Sequence, residues 1–404
     1  MSGPLDGIRV VDFTTMIAGP YATMILADQG ADVIKVEAPL ASDHARRAGY
    51  GPRHFTAAFV NNNRNKRSIS VDAKTAEGRE AILRLARTAD VFVQNYRPGV
   101  MARLGLDEPD LRSENPRLVY LSMSGWGETG PLAHKPVYDP IIQALSGLAT
   151  VQAGSDSERP RLIRTILPDK LTGITAAQAV SSALLARERS GKGQHVRISM
   201  LDAIIAFMWS SDMGGLTFVG KEVSVQRAAT FIDLIYETRT DYISVSVMTN
   251  PQWEGFCRAA GKPDWLRDER FETPEGRDRH ADERLELMQS ALIERSAKDW
   301  LETLDAAGVP CAPVLKRAEV VNHPQVKASG IVIETDHPEA GPLRQARNAA
   351  RFEGTPAQVR RGAPQLGAHT IEVLRELDYS EAEISALLDS CTVSAPDDPG
   401  MNPG

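Results

Sequence analysis

An α/β fold, with a mostly parallel sheet covered on both faces and a smaller α+β unit after it, follows from three features of the sequence. Short apolar runs alternate with helix-length amphipathic segments through the first half of the chain. Those runs are bounded by turns and alternate with helices, as in a mostly parallel sheet covered on both faces. Near Val219 the pattern changes to a hairpin followed by charged helices.

The elements follow in order. Ile8 to Phe13 (IRVVDF) and Asp32 to Glu37 (DVIKVE) are strands on either side of a helix entered at Gly19-Pro20 and running through Leu26. This β-α-β unit lacks the glycine spacing of a dinucleotide site: Ala18-Gly19-Pro20 supplies one glycine and no others at the required offsets. Nicotinamide and flavin chemistry is disfavoured. A strand from Ser68 to Val71, opened by Lys66 and Arg67, leads to a helix from Thr75 to Thr88, a strand from Val91 to Gln94, a short helix from Val100 and a strand from Leu118 to Ser122. Gly125 to Gly130 (GWGETG) is a glycine-rich connection, and Tyr138-Asp139 precedes a helix carrying Ile141, Ile142, Leu145 and Leu148.

The stretch from Ile166 to Ala203 reads as helix, tight turn and strand. Leu171, Ile174, Ala177, Val180, Leu184 and Leu185 form one apolar stripe, Ser190 to Gly193 breaks it, and Val196, Ile198 and Met200 alternate with polar residues. Pro168 places Asp169 at the helix mouth. On local pattern alone capping is the commoner role for such an aspartate, yet a carboxylate held ionised and aimed by a helix end also suits a nucleophile. Ala203 to Phe218 continues as an apolar helix expected in the core.

Further on, Leu234 to Glu237 and Ile243 to Val247 form a hairpin across Arg239 to Asp241, and charged helices run from Gln252 to Ala260, Asp282 to Ile293 and Lys298 to Ala306. The last part returns to short strands and a helix from Ile371 to Leu377 capped from Thr370. The tail after Ser394 is too rich in Pro, Gly and Asp to fold.

Composition removes several function classes. The chain has 404 residues, 42% hydrophobic and 25% charged, with a formal charge of -7 and no long basic run, which argues against a nucleic-acid binder. Cys257, Cys311 and Cys391 have no metal-ligand spacing and suit a reducing compartment. No apolar run approaches membrane-spanning length and the N-terminus has no targeting pattern, so the cytoplasm is expected. Lys74, Asn95 and Arg97 fall just past strand ends, with Arg103 nearby, where an open parallel sheet binds ligands; an anion with several phosphates would explain such a cluster, and a solvated surface would also satisfy it.

At this point the sequence resembles the class III coenzyme A transferases, which include formyl-CoA transferase, carnitine CoA-transferase and the related α-methylacyl-CoA racemases. The motifs run nearly end to end: GIRVVDFTTMIAGPYATMILADQGADVIKVE, NKRSISVDAKTAEGRE, ADVFVQNYRPGVMARLGL, NPRLVYLSMSGWGETGP, VYDPIIQALSG, SGKGQHVRISMLDA and APQLGAHTIEVLREL. The resemblance implies that Asp169 attacks an acyl-CoA thioester. It implies a CoA site at Ala18, Asp72, Lys74, Asn95, Arg97, Arg103, Tyr138 and Asp139, with CoA and a carboxylic acid as substrates and no metal or other cofactor. It implies a Rossmann-like large domain built from both ends of the chain, a small central domain and an interlocked homodimer; with the composition changes along the chain, the large domain is expected at 1–220 and 326–393, the small domain at 225–325 and a disordered tail at 394–404.

Two positions depart from relatives. Tyr138 stands where racemases carry a histidine, and a tyrosine with a reference pKa of about 10 is a poor base at neutral pH. Ile17 stands where formyl- and oxalate-handling relatives carry a glutamine, which points away from formate and oxalate. The glycine-rich loop of the formyl-CoA relatives has no match in Val247 to Gln252. The alternatives are a racemase-type isomerase and a non-catalytic CoA-binding protein.

Overall fold

A computed structural model describes residues 3–39, 42–52, 55–154, 156, 158–222 and 234–396. The chain forms two units: Met1–Ala149, Arg161–Gly214 and Gly330–Gly404 make one, Thr150–Pro160 and Gly215–Ser329 the other. The expected boundary at 225 and residues 397–404 of the expected disordered tail (394–404) lie outside the described residues; Ser394, the first residue of that tail, is instead buried in a strand paired with Ser70.

The first unit is built on β1 (Arg9–Phe13), β2 (Asp32–Glu37), β3 (Lys66–Val71), β4 (Val91–Gln94), β5 (Val119–Ser124) and β6 (His195–Ser199), all parallel, in the order 3-2-1-4-5-6. The order reverses between β1 and β4, and ligands in such sheets bind beyond the strand ends at that reversal. Successive side chains point to opposite faces, so Val10 and Val11 on β1 enter different cores. One core joins Val11, Ile34 and Phe92 to α3 (Ala76–Thr88); the other joins Val10, Val33 and Leu121 to α1 (Ala18–Asp28) and α7 (Leu167–Ser190). Between them lie α2 (Ala57–Asn63), α4 (Val100–Leu104), α5 (Glu108–Glu114) and α6 (Asp139–Leu145), with α8 (Met200–Trp209) after β6.

The second unit has an antiparallel sheet of β7 (Ile235–Glu237), β8 (Tyr242–Val245) and β9 (Cys311–Pro313). Helices Asn250–Ala259, Ala281–Leu292 and Ala297–Ala306 bring Trp253, Phe256, Leu292 and Trp300 into its core. The chain then forms a hairpin, β10 (Val332–His337) and β11 (Gly341–Ala346), followed by α9 (Thr370–Glu376), α10 (Glu381–Asp389) and β12 (Val393–Ser394). β12 pairs antiparallel with β3 and completes the sheet edge.

Several expectations are corrected. The buried face of α7 is Thr172, Gly173, Ala176, Ala177, Val180, Ala183 and Leu184, whereas Ile174 and Leu185 are exposed. Small residues line it because α1 crosses closely: a Cβ on Gly173 would lie 2.9 Å from the Ala18 carbonyl oxygen. The apolar helix expected from Ala203 to Phe218 ends at Trp209, with only Ile204 and Met208 buried while Phe207 and Trp209 are exposed. Thr370 is not the cap of α9. Its hydroxyl accepts the Ser70 N–H at 3.0 Å and donates to the Ser394 carbonyl at 2.8 Å. α2, α5 and α10 were not expected; α5 has one buried residue, Leu111, too few for a periodic signal.

A buried ionic network links β1, β2 and the amino end of β3. Lys66 Nζ meets Asp12 Oδ2 at 2.9 Å and Asn63 Oδ1 at 2.8 Å, Lys35 Nζ meets Asp43 Oδ2 at 3.0 Å, and Arg46 grips both oxygens of Glu37 at 2.8 and 2.6 Å. Burial would raise the Asp12 carboxyl, but Lys66 and Lys35 outweigh it and hold Asp12 down at about 2. A depressed carboxylate contributes stability above its unfolded pKa and loses it as pH falls through the folded value. Asp12→Asn leaves Lys66 buried without its charge partner, so the urea midpoint at neutral pH is expected to report a loss of about 3–5 kcal/mol.

Candidate active site

The loop from β1 to α1 is pinned residue by residue. The Thr14 N–H and hydroxyl donate to Asp12 Oδ1 at 3.1 and 2.5 Å, and the Thr14 carbonyl accepts from Lys35 Nζ at 2.8 Å. Asn95, just past β4, clamps Thr15 from both sides: its Oδ1 accepts the Thr15 N–H at 3.0 Å and its Nδ2 donates to the Thr15 carbonyl at 2.8 Å. Met16 adopts φ 70°, a left-handed conformation costly for a side-chain-bearing residue, and its N–H donates to Asp43 Oδ1 at 3.0 Å. Gly19 is required by close approach, since a Cβ there would lie 2.4 Å from Thr14 Cβ. The loop delivers the N-terminus of α1 to one place.

That place is a cleft of about 290 Å³ at the strand-order reversal, walled by Met16 to Ala18, Asn95 to Pro98, Ser124 to Trp126, Lys135, Tyr138 and Asp169. Asp169 is half-buried, and the Ala18 N–H donates to its carboxylate. Burial first, and then the like charge of Asp139, push the Asp169 carboxyl up to about 6 against that donor.

Asp169 is not the cap of its helix. α7 begins at Leu167, its N-cap position is Ile166, which offers no capping side chain, and Asp169 is the third helical residue. Nor does α7 offer free N–H groups to an incoming oxyanion. The Leu167 N–H donates to the Thr165 carbonyl at 2.9 Å, Pro168 has none, Asp169 donates to Asp139 Oδ2 at 3.1 Å and Lys170 to the Ile166 carbonyl at 3.3 Å. The expectation that this helix end holds Asp169 ionised is therefore overturned. Burial and Asp139 win, and the positive end facing the carboxylate belongs to α1.

The structure gathers some of the expected site residues and separates others. Ala18, Asn95, Arg97, Tyr138 and Asp169 line the cleft. Tyr138 is 69% exposed at its mouth. Asp139 lies behind the wall, 2% exposed, with Gln143 Nε2 donating to its Oδ1 at 2.6 Å. Asp72, Lys74 and Arg103 are outside the cleft; β3 and β4 are three strand positions apart in the sheet, about 14 Å at the usual strand spacing. Lys74 and Arg103 are exposed, and Asp72 Oδ1 accepts the Lys74 N–H at 3.0 Å. Sequence reasoning missed Lys135, Trp126 and Gln143. For Gln143 the signal was its spacing four residues after Asp139 on one helix face. On the far side of Tyr96 to Pro98 a second cleft of about 260 Å³ includes Ser122, whose hydroxyl receives Gln94 Nε2 at 3.1 Å and meets His195 Nε2 at 2.8 Å. Among the described residues there is no group of His, Cys, Asp or Glu that could hold a metal, and no helix is long and apolar enough to cross a membrane.

Residues 5–370 match the model of CoA-transferase family III. The chain is 32% identical to a mouse protein (Mus musculus) described as succinyl-CoA:glutarate CoA-transferase, over 95% of this chain and 89% of the relative. It is 34% identical to an Acetobacter aceti protein described as acetyl-CoA:oxalate CoA-transferase, over 94% and 97%. The crystal structure of a CAIB/BAIF family protein from Brucella suis superposes with TM-score 0.81 at 32% identity, covering 94% of this chain and 100% of that one.

The contact between α1 and α7 sets the distance from Ala18 to Asp169. Gly173→Val inserts a branched side chain against the Ala18 carbonyl and the Tyr21 ring, each 2.9 Å from a Cβ there. A loss of about 1–3 kcal/mol is expected, read as a lowered thermal midpoint.

Proposed function

The chain belongs to CoA-transferase family III, and from that premise we propose that Asp169 is the nucleophile that carries its acyl and CoA groups. The enzyme transfers CoA from an acyl-CoA to a carboxylic acid. The observation that carries the proposal is the placement of the Asp169 carboxylate on the cleft wall under the α1 N-terminus.

The ionised Asp169 attacks the thioester carbonyl carbon, a C–O bond forms, the C–S bond breaks and CoA thiolate leaves a mixed anhydride. Thiolate then attacks the aspartyl carbonyl, giving an aspartyl-CoA thioester and releasing the donor acid. The acceptor carboxylate attacks that thioester to form a second anhydride and expel thiolate, which takes the new acyl group and returns Asp169 free. The Ala18 N–H at the start of α1 stabilises negative charge developing at the aspartyl side. Arg97 and Lys135, cations on the cleft wall, attract anionic substrates, and Lys74 and Arg103 would meet the more distant phosphates of CoA, with Asp72 beside them.

The enzyme works as a homodimer, interlocked as in the class III family it resembles. Supporting this are Ile141 and Leu145 on α6, Ile174 and Leu185 on α7, and Phe207 and Trp209 on α8, all large apolar side chains left exposed by the single chain. Three free cysteines fit a cytoplasmic setting. Light scattering on the purified enzyme is expected to give twice the chain mass; a monomer at micromolar concentration rejects the assembly.

Incubation with succinyl-CoA or acetyl-CoA, followed by hydroxylamine and peptide mass spectrometry, should place a hydroxamate on Asp169. Asp169→Ala should lose the adduct and at least about 1000-fold in transfer rate. An Asp169→Ala variant that still transfers CoA among glutarate, oxalate and other acids at the wild-type rate rejects the mechanism. Because attack requires the ionised carboxylate, the wild-type rate should fall as pH drops through about 6.

A further inference from the structure

Gln143 lies outside the cleft wall and is 2% exposed, yet each end of its amide is engaged. Its Oε1 accepts the Ile163 N–H at 2.9 Å, and its Nε2 donates to Asp139 Oδ1 at 2.6 Å and to the Thr165 carbonyl at 3.2 Å. One side chain on α6 thus holds the segment leading into α7 and orients the carboxylate beside it. The other oxygen of that carboxylate, Asp139 Oδ2, accepts the Asp169 N–H at 3.1 Å. A helix of this length normally finds its capping oxygen on the N-cap residue, and Ile166 has none.

We propose that Gln143 is a positioning residue for Asp169, acting through Asp139, which serves as a helix cap supplied from the neighbouring α6. The inference rests on the reading of Asp169 as nucleophile, and it gives Asp139 a role other than contact with CoA.

The device does two things. It fixes the first turn of α7, and with it the direction from which Asp169 enters the cleft. It also keeps a negative charge beside Asp169. Asp139 from α6 and the Ala18 N–H from α1 act on the Asp169 carboxyl; Tyr96 and Arg97 after β4 and Lys135 and Tyr138 ahead of α6 line the same cleft, Lys170 next along α7 acts on Asp139, and Tyr21 on α1 packs at Gly173 one turn further on. After burial, Asp139 is the largest influence on its carboxyl. Asp139 is itself pushed upward by burial, and the Gln143 donor opposes that. Removing the Gln143 donor moves the Asp139 carboxyl further upward, weakens the negative charge beside Asp169, and so shifts Asp169 towards ionisation at lower pH.

The test compares wild type, Gln143→Leu and Asp139→Asn, each checked for folding by circular dichroism, in full pH profiles with succinyl-CoA as donor. Asp139→Asn keeps an acceptor oxygen and removes the charge. Both variants should move the acid limb of kcat to lower pH. Gln143→Leu should also lose roughly 10- to 100-fold in plateau kcat with KM for acyl-CoA within about threefold. If Gln143→Leu does not fold, the limb of Asp139→Asn decides. An unmoved limb in the folded variants, or a raised KM with unchanged kcat, overturns the inference. Hydroxylamine trapping on wild type separates the two readings: an Asp169 adduct with an unmoved limb defeats this inference alone, whereas no adduct defeats the nucleophile reading and this one with it.

Discussion

The pinning of the loop between β1 and α1 by charges buried under the sheet is the constraint on which the cleft depends. Asp12, Lys35, Asp43 and Asn95 each hold a backbone group of Thr14, Thr15 or Met16, and the charged members are fixed in turn by Lys66 and by one another. Met16 keeps its left-handed backbone because these contacts over-determine it. The loop's only freedom is to move with the network. A position set in this way can aim the first N–H of α1 at a carboxylate without relying on a flexible side chain.

Charge burial on this scale is a weak route to stability, since desolvation offsets much of the attraction, but it resists rearrangement strongly once formed. The same logic extends to the outer face. Arg67 joins Asp32 on β2 to Glu372 and Glu376 on α9, and Arg64 holds Asp28 at the end of α1 through two contacts of 3.0 and 2.7 Å. These pairs tie β2, β3 and α9, and the end of α1, to one another by charge. The apolar residues supply the burial, and the ion pairs choose among the registers it allows.

Much of the first unit was legible in the sequence because its short strands have apolar centres, such as Val10-Val11 and Val33-Ile34, and its glycines mark turns. β1, β2 and β4 appear within a residue of where their patterns place them. Of the residues that the resemblance singled out, Ala18, Asn95, Arg97, Tyr138 and Asp169 line one cleft, but its electrostatics were not legible. A helix mouth suggested an easily ionised carboxylate. The structure shows that helix end already saturated, by Thr165, Asp139 and Ile166, and the favourable dipole arriving from α1. Periodicity cannot report which helix end faces which side chain. The stripe on α7 held in part: Ala177, Val180 and Leu184 are buried as the pattern places them, whereas Ile174 and Leu185 are exposed and the close crossing of α1 selects small residues such as Gly173 and Ala176.

The edge of the sheet carries one more implication. β3 is covered by β12, and Ser70 bonds Ser394 across 324 residues of chain. Between the emergence of β3 from a ribosome and the arrival of its partner, most of the polypeptide has to be made. Through that interval β3 presents an unpaired strand edge, and Thr370 and Ser394 are not yet present to satisfy Ser70. The C-terminal segment, arriving last, is the latch that closes this end of β3.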